Sequence, residues 1–486
     1  MTKLSELAKF LGFSDALVKV ERSVSGITCK SSECKDGVVF AALRGEKNDG
    51  HDYISDAYSR GARVFITERE VSLPDDATVF VVENSRHALA LASLYICGDP
   101  QKKLTLIGVT GTKGKSTVVL MIQKILEFSG RKTVSSSTLG FNDGSSTVKT
   151  DNSTPESYIL ADFLARAVND GATHAVIEVS SQGLKQHRVD GLDFAVGVMT
   201  NLSRDHVGAG EHSSFDEYKE CKKRLFEKCE RGVFNADDKY FAEFSSIVKS
   251  TTYGLSCAAE LYASNIKNIR NKNSFGTSFD IVRGGEVNKV YLSIPGKFAV
   301  YDALAAISAC LEIGVSLDEC VAALKDVKIV GRFEKVDTER DIDVIIDYAH
   351  NQASMKSALT TARELARGKI ICVFGSVGER TKMRRAALGK VADKYADLCV
   401  ITADDPNYED PKKIAEEIAK NIRSTPYIII PDRSKAIKYA CETALDGDFI
   451  LVAGKGHEKY QLIDGKKVPF DERRVIVAAS KIKVNI

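Results

Sequence analysis

Three observations predict an α/β fold in three domains. Short apolar, β-branched runs alternate along the chain with segments whose apolar residues recur at helical spacing. The 486 residues exceed what one core organises and suggest roughly three domains. Polar turns follow many of the strand-like runs, and in open α/β sheets such turns gather at the carboxyl edge. The expected segments are a smaller α/β domain over 1–99, a central, mostly parallel sheet with helices on both faces over 100–330, and a Rossmann-like α/β domain over 331–486.

In the first segment Val38 to Ala42 and Ala77 to Val82 read as strands and Ile54 to Arg60 as a helix, and Gly98-Asp99-Pro100 marks a boundary. In the second, Leu104 to Ile107, Ala175 to Ile177 and Ala195 to Met199 are buried strands, and Val118 to Phe128 is a helix. A more polar, β-rich stretch from Leu261 to Leu292 precedes an apolar helix over Val300 to Ile313. In the third, strands are expected at Val344 to Ile346, Ile370 to Phe374, Leu398 to Ile401 and Phe449 to Val452.

The 68 basic and 66 acidic residues leave a formal charge of +2, which gives no polyanion-binding surface and no reason to expect nucleic acid. Eleven cysteines occur without a C-x-x-C pair or histidine clustering, the usage of a reducing compartment. No apolar run approaches a membrane-spanning length. A cytoplasmic protein without a membrane partner, and a monomer, is expected.

The chemistry starts at Gly108-Val109-Thr110-Gly111-Thr112-Lys113-Gly114-Lys115-Ser116-Thr117, set between a strand and a helix. Glycines let successive N–H groups face phosphate oxygens, Lys115 adds a point charge, and the Ser116 hydroxyl can ligate magnesium. The loop is P-loop-type and calls for a nucleoside triphosphate, although Val109 stands where a strict pattern has glycine. Glu178 follows a strand and offers a carboxylate for magnesium, and the strand-end cluster Asn201 to His206 offers a histidine. Asp347 to Asn351, Gly375 to Arg385, Asp404 to Asn407 and Gly454 to Glu458 each follow a strand of the third segment, which predicts a ligand site there.

Taken in order, Thr110 to Thr117, Ser153-Thr154-Pro155-Glu156, Glu178-Val179-Ser180-Ser181, Asn201 to His206, Gly331-Arg332-Phe333-Glu334, Asp347-Tyr348-Ala349-His350 and Gly454 to Glu458 resemble the motif set of the Mur ligases. The likeness is greatest to the MurE branch, which adds the third residue of the peptidoglycan stem peptide to UDP-N-acetylmuramoyl-L-alanyl-D-glutamate. Ser25 to Thr28, Ser31 and Gly45 to Asp52 resemble the segment that holds the UDP moiety.

This resemblance implies an ATP-dependent ligase that phosphorylates the D-glutamate carboxylate, after which an incoming amine attacks the acyl phosphate. The repulsion among negative groups would be offset by Lys115, two magnesium ions and Arg332. Gly111, Thr112, Lys113, Gly114, Lys115, Ser116 and Thr117, with Asp302, Arg332 and Asp347, would hold ATP. Ser116 and Glu178 would take the first magnesium, and His206 the second, bridged by a carbamylated lysine that the family spacing assigns to Lys222 rather than Lys223. His350 would lie near the transferred phosphate. Ser31, Ser153, Thr154, Pro155, Glu156, Ser180 and Arg188 fit the muramoyl-peptide substrate.

Some positions depart from the commonest pattern. Lys113 and Gln182 resemble lysine-adding ligases, whereas Ala299 and Asp302 replace two asparagines near the adenine. Diaminopimelate-adding relatives carry arginine where Asn407 stands, and Asp404 and Asp405 suit a terminal ammonium. L-lysine is therefore expected, with Arg385, Asp404, Asp405, Asn407, Gly454 and Glu458 around it. The same reaction with meso-diaminopimelate, L-ornithine or D-lysine is the alternative. A non-catalytic nucleotide-binding paralogue and a folylpolyglutamate synthetase are the other readings; the intact Lys115, Glu178, His206 and Lys222 oppose the first. The hundred or so residues before the phosphate loop oppose the second.

Overall fold

The strand Thr105–Thr110 is buried on both faces, with Leu106, Ile107 and Val109 inaccessible, and parallel neighbours flank it along both edges. Glu178 of His174–Glu178 pairs with Val109, and Met199 of Phe194–Met199 pairs with Thr110. The segments that leave these strands at their carboxyl ends therefore emerge side by side, as an α/β sheet requires of a site. The computed structural model describes residues 2–45, 48–204, 208, 211–271, 275–379 and 382–481. They form two compact units, Met1–Tyr262 with Tyr301–Ala323, and Ala263–Val300 with Leu324–Ile486.

In the first unit the sheet runs in the order Thr147–Val148, Gly140–Asn142, Thr133–Ser137, His174–Glu178, Thr105–Thr110, Phe194–Met199, Cys229–Asn235 and Ser250–Gly254. Gly140–Asn142 runs antiparallel to both its neighbours, and the pairings from Thr133–Ser137 onward are parallel. The helices Lys115–Phe128 and Ser157–Asn169 each bury an apolar stripe. A separate four-stranded parallel sheet, Gly26–Thr28, Val38–Ala41, Val64–Thr67 and Thr78–Val81, packs on the helices Leu4–Phe10 and Ser85–Ile96 around Leu4, Leu7, Val39, Ile66, Phe80 and Leu89.

The second unit holds the sheet Glu334–Val336, Asp343–Asp347, Phe449–Ala453, Ile370–Phe374, Leu398–Ile401 and Tyr427–Ile429, parallel except for its first strand. Alternate residues enter opposite cores: Ile345, Cys372 and Leu451 pack with Met355, Leu388 and Ile414, whereas Val344, Val373 and Val452 pack with Ile437 and Ile476. Helices therefore cover both faces.

Residues 263–300, expected in the central segment, cluster with the C-terminal residues. Polar contacts explain the attachment, since Asn268 Nδ2 donates to Glu364 at 2.7 Å and Arg270 Nη1 to the Leu365 carbonyl at 2.8 Å. Among the described residues no helix is long and apolar enough to cross a membrane.

Candidate functional site

The phosphate loop is shaped by two close approaches. Gly111 has φ +143°, and a Cβ there would meet Thr200 Oγ1 at 1.9 Å. Gly114 has φ +85°, and a Cβ would meet Asp302 Oδ1 at 2.3 Å. Only glycine fits either position without displacement. Asn201 then clamps the loop: its carbonyl accepts from the Thr112 amide at 2.8 Å, its Oδ1 from the Lys113 amide at 3.0 Å, and its Nδ2 donates to the Lys113 carbonyl at 3.0 Å.

Behind the loop, Ser116 Oγ donates to Glu178 Oε2 at 2.7 Å, and Lys115 Nζ lies 3.9 Å from Glu178 Oε1. The Thr138 amide also donates to Glu178 Oε2, at 3.0 Å. Glu178 is only 2% exposed, so its orientation is held from three sides. A hydroxyl and a carboxylate beside a phosphate loop form a hard oxygen set that fits magnesium. Lys222, 1% exposed, donates from Nζ to the Gly111 carbonyl at 2.8 Å, and this ammonium stands 4.6 Å over the Tyr218 ring. Tyr218 in turn donates to Thr112 Oγ1 at 3.1 Å, which ties Lys222's surroundings to the loop.

Thr154 joins this cluster to the expected peptide-binding residues. Its hydroxyl donates to the Glu178 carbonyl at 2.7 Å and accepts from the Ser180 amide at 2.9 Å. Arg188 donates from Nη1 to the Thr154 carbonyl at 2.8 Å and pairs with Glu156 at 2.7 Å, where Arg86 also approaches, at 3.8 Å. Ser153 and Pro155 flank Thr154, whereas Ser31 opens the short helix Ser31–Glu33 beside the four-stranded sheet. Thr117 is buried in the first turn of Lys115–Phe128.

In the second unit, Arg332 stacks 4.9 Å over the Tyr348 ring, and Asp347 accepts from the Phe333 amide at 2.8 Å. Burial pushes the Asp347 carboxyl up, against the lowering pull of Arg332. His350 Nδ1 sits 2.9 Å from the Tyr348 carbonyl. Arg332, Asp347 and His350 thus share one corner.

Asp404, Asp405, Gly454 and Glu458 share a second corner. Lys455 Nζ contacts Asp405 Oδ1 and Glu458 Oε2, each at 2.6 Å. Asp404 is buried, and a Cβ on Gly454 would meet its Oδ2 at 2.8 Å. Desolvation pushes the Asp404 carboxyl up while Arg433 and then Lys455 pull it down, and burial likewise pushes Glu458 up against Lys455. Asn407 has φ +50°, donates to Glu379 and accepts from the Gly465 amide at 2.9 Å. Arg385, 2% exposed, spends its fork on Glu409 at 2.8 Å and Glu417 at 2.9 Å.

Comparison with known proteins places this geometry. The profile described as the Mur ligase middle domain matches residues 109–310, that of the Mur ligase glutamate ligase domain 331–456, and that of the Mur ligase family catalytic domain 23–94. A UDP-N-acetylmuramoyl-L-alanyl-D-glutamate–2,6-diaminopimelate ligase of Caldanaerobacter subterraneus subsp. tengcongensis is 40% identical over 458 residues, 93% of this chain and 94% of the relative. The chain belongs to the Mur ligase family. A ligase of the same name from Syntrophomonas wolfei is 36% identical over 493 residues, 99% of this chain and 100% of the relative. A solved structure bearing that name has 28% identity and a TM-score of 0.69, and covers 94% of this chain and 95% of its own.

These relatives do not support the L-lysine expectation for this Mur ligase, because they are named for 2,6-diaminopimelate. The structure weakens its physical basis too: Asp405, expected to face a substrate ammonium, is engaged by Lys455 and by the Leu462 amide at 2.8 Å. His206, together with Asp205, Glu46 and Lys47, lies outside the described residues. Sequence reasoning missed Thr138, Tyr218, Arg86 and Arg433 as members of these clusters, whereas Glu379 and Lys455 lie within segments from which a ligand site was expected. Of the missed residues Thr138 carried a signal, standing just past the strand Thr133–Ser137.

Proposed function

We propose that this Mur ligase joins meso-diaminopimelate to the D-glutamate of UDP-N-acetylmuramoyl-L-alanyl-D-glutamate with cleavage of ATP to ADP and phosphate, in the cytoplasm and as a monomer. The observation that carries the ligase reading is the Ser116–Glu178 contact at 2.7 Å beside a loop that accepts only glycine at 111 and 114. The diaminopimelate reading rests on the names of relatives that span nearly the whole chain. Residues 1–99 would bind the UDP moiety, 100–330 ATP and 331–486 the amino acid.

The γ-phosphoryl group passes to a carboxylate oxygen of D-glutamate and ADP leaves. The neutral amine then attacks the acyl carbon, the C–O bond to phosphate breaks, and the amine loses its proton as the amide forms. Little covalent work falls to the protein, so its part is positioning and charge. Backbone amides of Gly111 to Thr117 would cradle the phosphates, and Lys115 would offset their charge. Ser116 and Glu178 would hold one magnesium ion, which supplies Lewis-acid stabilisation when bound. His206 and a carbamylated Lys222 would hold the second. Asp302 faces Gly114 and would border the nucleotide. Arg332 would offset the charge of the transferred phosphate, His350 would lie near it, and Asp347 would help hold ATP.

L-lysine is a second reading, favoured by one observation. Asn407 is neutral and bonds the Glu379 carboxylate, an arrangement that repels a second substrate carboxylate and suits an ammonium. Incubation with the nucleotide substrate, ATP and each diamino acid in turn, with mass spectrometry of the product, separates the readings. A product carrying diaminopimelate is expected. Dominant lysine product would replace that amino acid, and no product with any amino acid would end the ligase reading.

A further inference from the structure

The strands Leu398–Ile401 and Phe449–Ala453 lead into the loops of Asp404 to Asn407 and Gly454 to Glu458, yet these strands are not neighbours: Ile370–Phe374 lies between them. Each is laddered to that middle strand and not to the other, so no direct ladder hydrogen bond joins the two loops. One buried guanidinium bridges the residues that lead into both. Arg433, at the start of the helix Arg433–Thr443, donates from Nη1 to the Ala403 carbonyl at 3.0 Å and from Nη2 to the Ala453 carbonyl at 2.8 Å. Those carbonyls belong to the residues immediately before Asp404 and Gly454. Its Nε donates to Glu472 Oε1 at 2.6 Å, from the separate helix Glu472–Ser480.

The energetics argue for placement rather than stability. The Arg433 and Glu472 side chains are 0% and 1% exposed. A fully buried ion pair adds little net stability over apolar residues of similar size, because desolvation cancels most of the attraction. A planar guanidinium fixes two acceptors at a set distance and angle, which a lysine ammonium cannot do. Lys455 also links the loops through Asp405, but from a flexible stem within one of them.

We propose that Arg433 is a positioning residue for the amino-acid substrate: it sets the spacing of the Asp404 and Gly454 loops, with Glu472 orienting its fork. The substrate assignment rests on the ligase reading above; the spacing role does not. The test uses the full chain and two variants. Arg433→Met with Glu472→Met replaces the pair by apolar groups and should stay folded. Arg433→Lys keeps the charge without the fork. In both, KM for the diamino acid should rise about tenfold or more, with KM for ATP within about twofold of wild type. Hydrogen exchange should quicken at 403–407 and 454–458 and not elsewhere in the sheet. Unchanged exchange at those two loops in the folded double variant would overturn the proposal, as would KM values rising equally for all substrates. If the wild-type protein turns over no amino acid, the ligase reading fails while hydrogen exchange still decides the role of Arg433.

Discussion

Ser116 Oγ and Glu178 Oε2 lie 2.7 Å apart although 62 positions separate the residues. Ser116 sits in the first turn of the helix that follows the phosphate loop, and Glu178 ends the strand beside the loop strand. The sheet register brings them together, and Thr138 holds the carboxylate from the far side.

Glu178→Gln keeps the shape and removes the charge. Turnover should fall by about 10² to 10³, as for the loss of one strong transition-state contact. A magnesium titration of phosphate release should shift to higher concentration. Unchanged magnesium dependence would remove Glu178 from the metal site.

Gly114→Ala should abolish tight ATP binding, because the new Cβ would stand 2.3 Å from Asp302 Oδ1 at φ +85°. Adding Asp302→Ala relieves the clash and leaves a left-handed backbone cost of about 1 kcal/mol. Calorimetric titration with ATP should show binding partly restored in the double variant and absent in the single one.

Lys222→Ala removes the ammonium that bonds the Gly111 carbonyl. A cost of about 1 to 3 kcal/mol in stability is expected for a lost buried hydrogen bond. Activity should drop at least about a hundredfold. Formate or acetate should restore part of it if the working side chain is anionic; full activity without them would refute the assignment.

Asp190 predicts an acid-sensitive contact. Burial raises its carboxyl, but hydrogen bonds from His187, His87 and Lys228 overcome this and hold it below the ordinary range. A depressed folded pKa means that its stabilisation is present above about pH 4, the unfolded value, and is lost as pH falls. Asp190→Asn should lower the melting temperature at pH 7, with the gap to wild type closing below about pH 4 in a thermal-melt series.

The sheet strands and the phosphate loop were legible because apolar period and glycine placement are local signals. Glu178 was legible for the same reason, as a carboxylate just past a buried strand. Arg385 shows where local reading ends. It was expected on the substrate, but it faces Glu409 and Glu417, the second of them on the helix Pro411–Ala419. Partners of a long side chain depend on how helices pack, which spacing does not encode. Arg433 is harder still, since its acceptors are backbone carbonyls at two non-adjacent strand ends. The clustering of residues 263–300 with the C-terminal residues had no local marker either.

The central claim is an acyl phosphate formed on the D-glutamate carboxylate. It is tested most directly by labelling that carboxylate with oxygen-18 in the nucleotide substrate and following the label through turnover with ATP and diaminopimelate. One labelled oxygen is expected in each inorganic phosphate released. Phosphate released without label, or no phosphate release at all, would contradict the account.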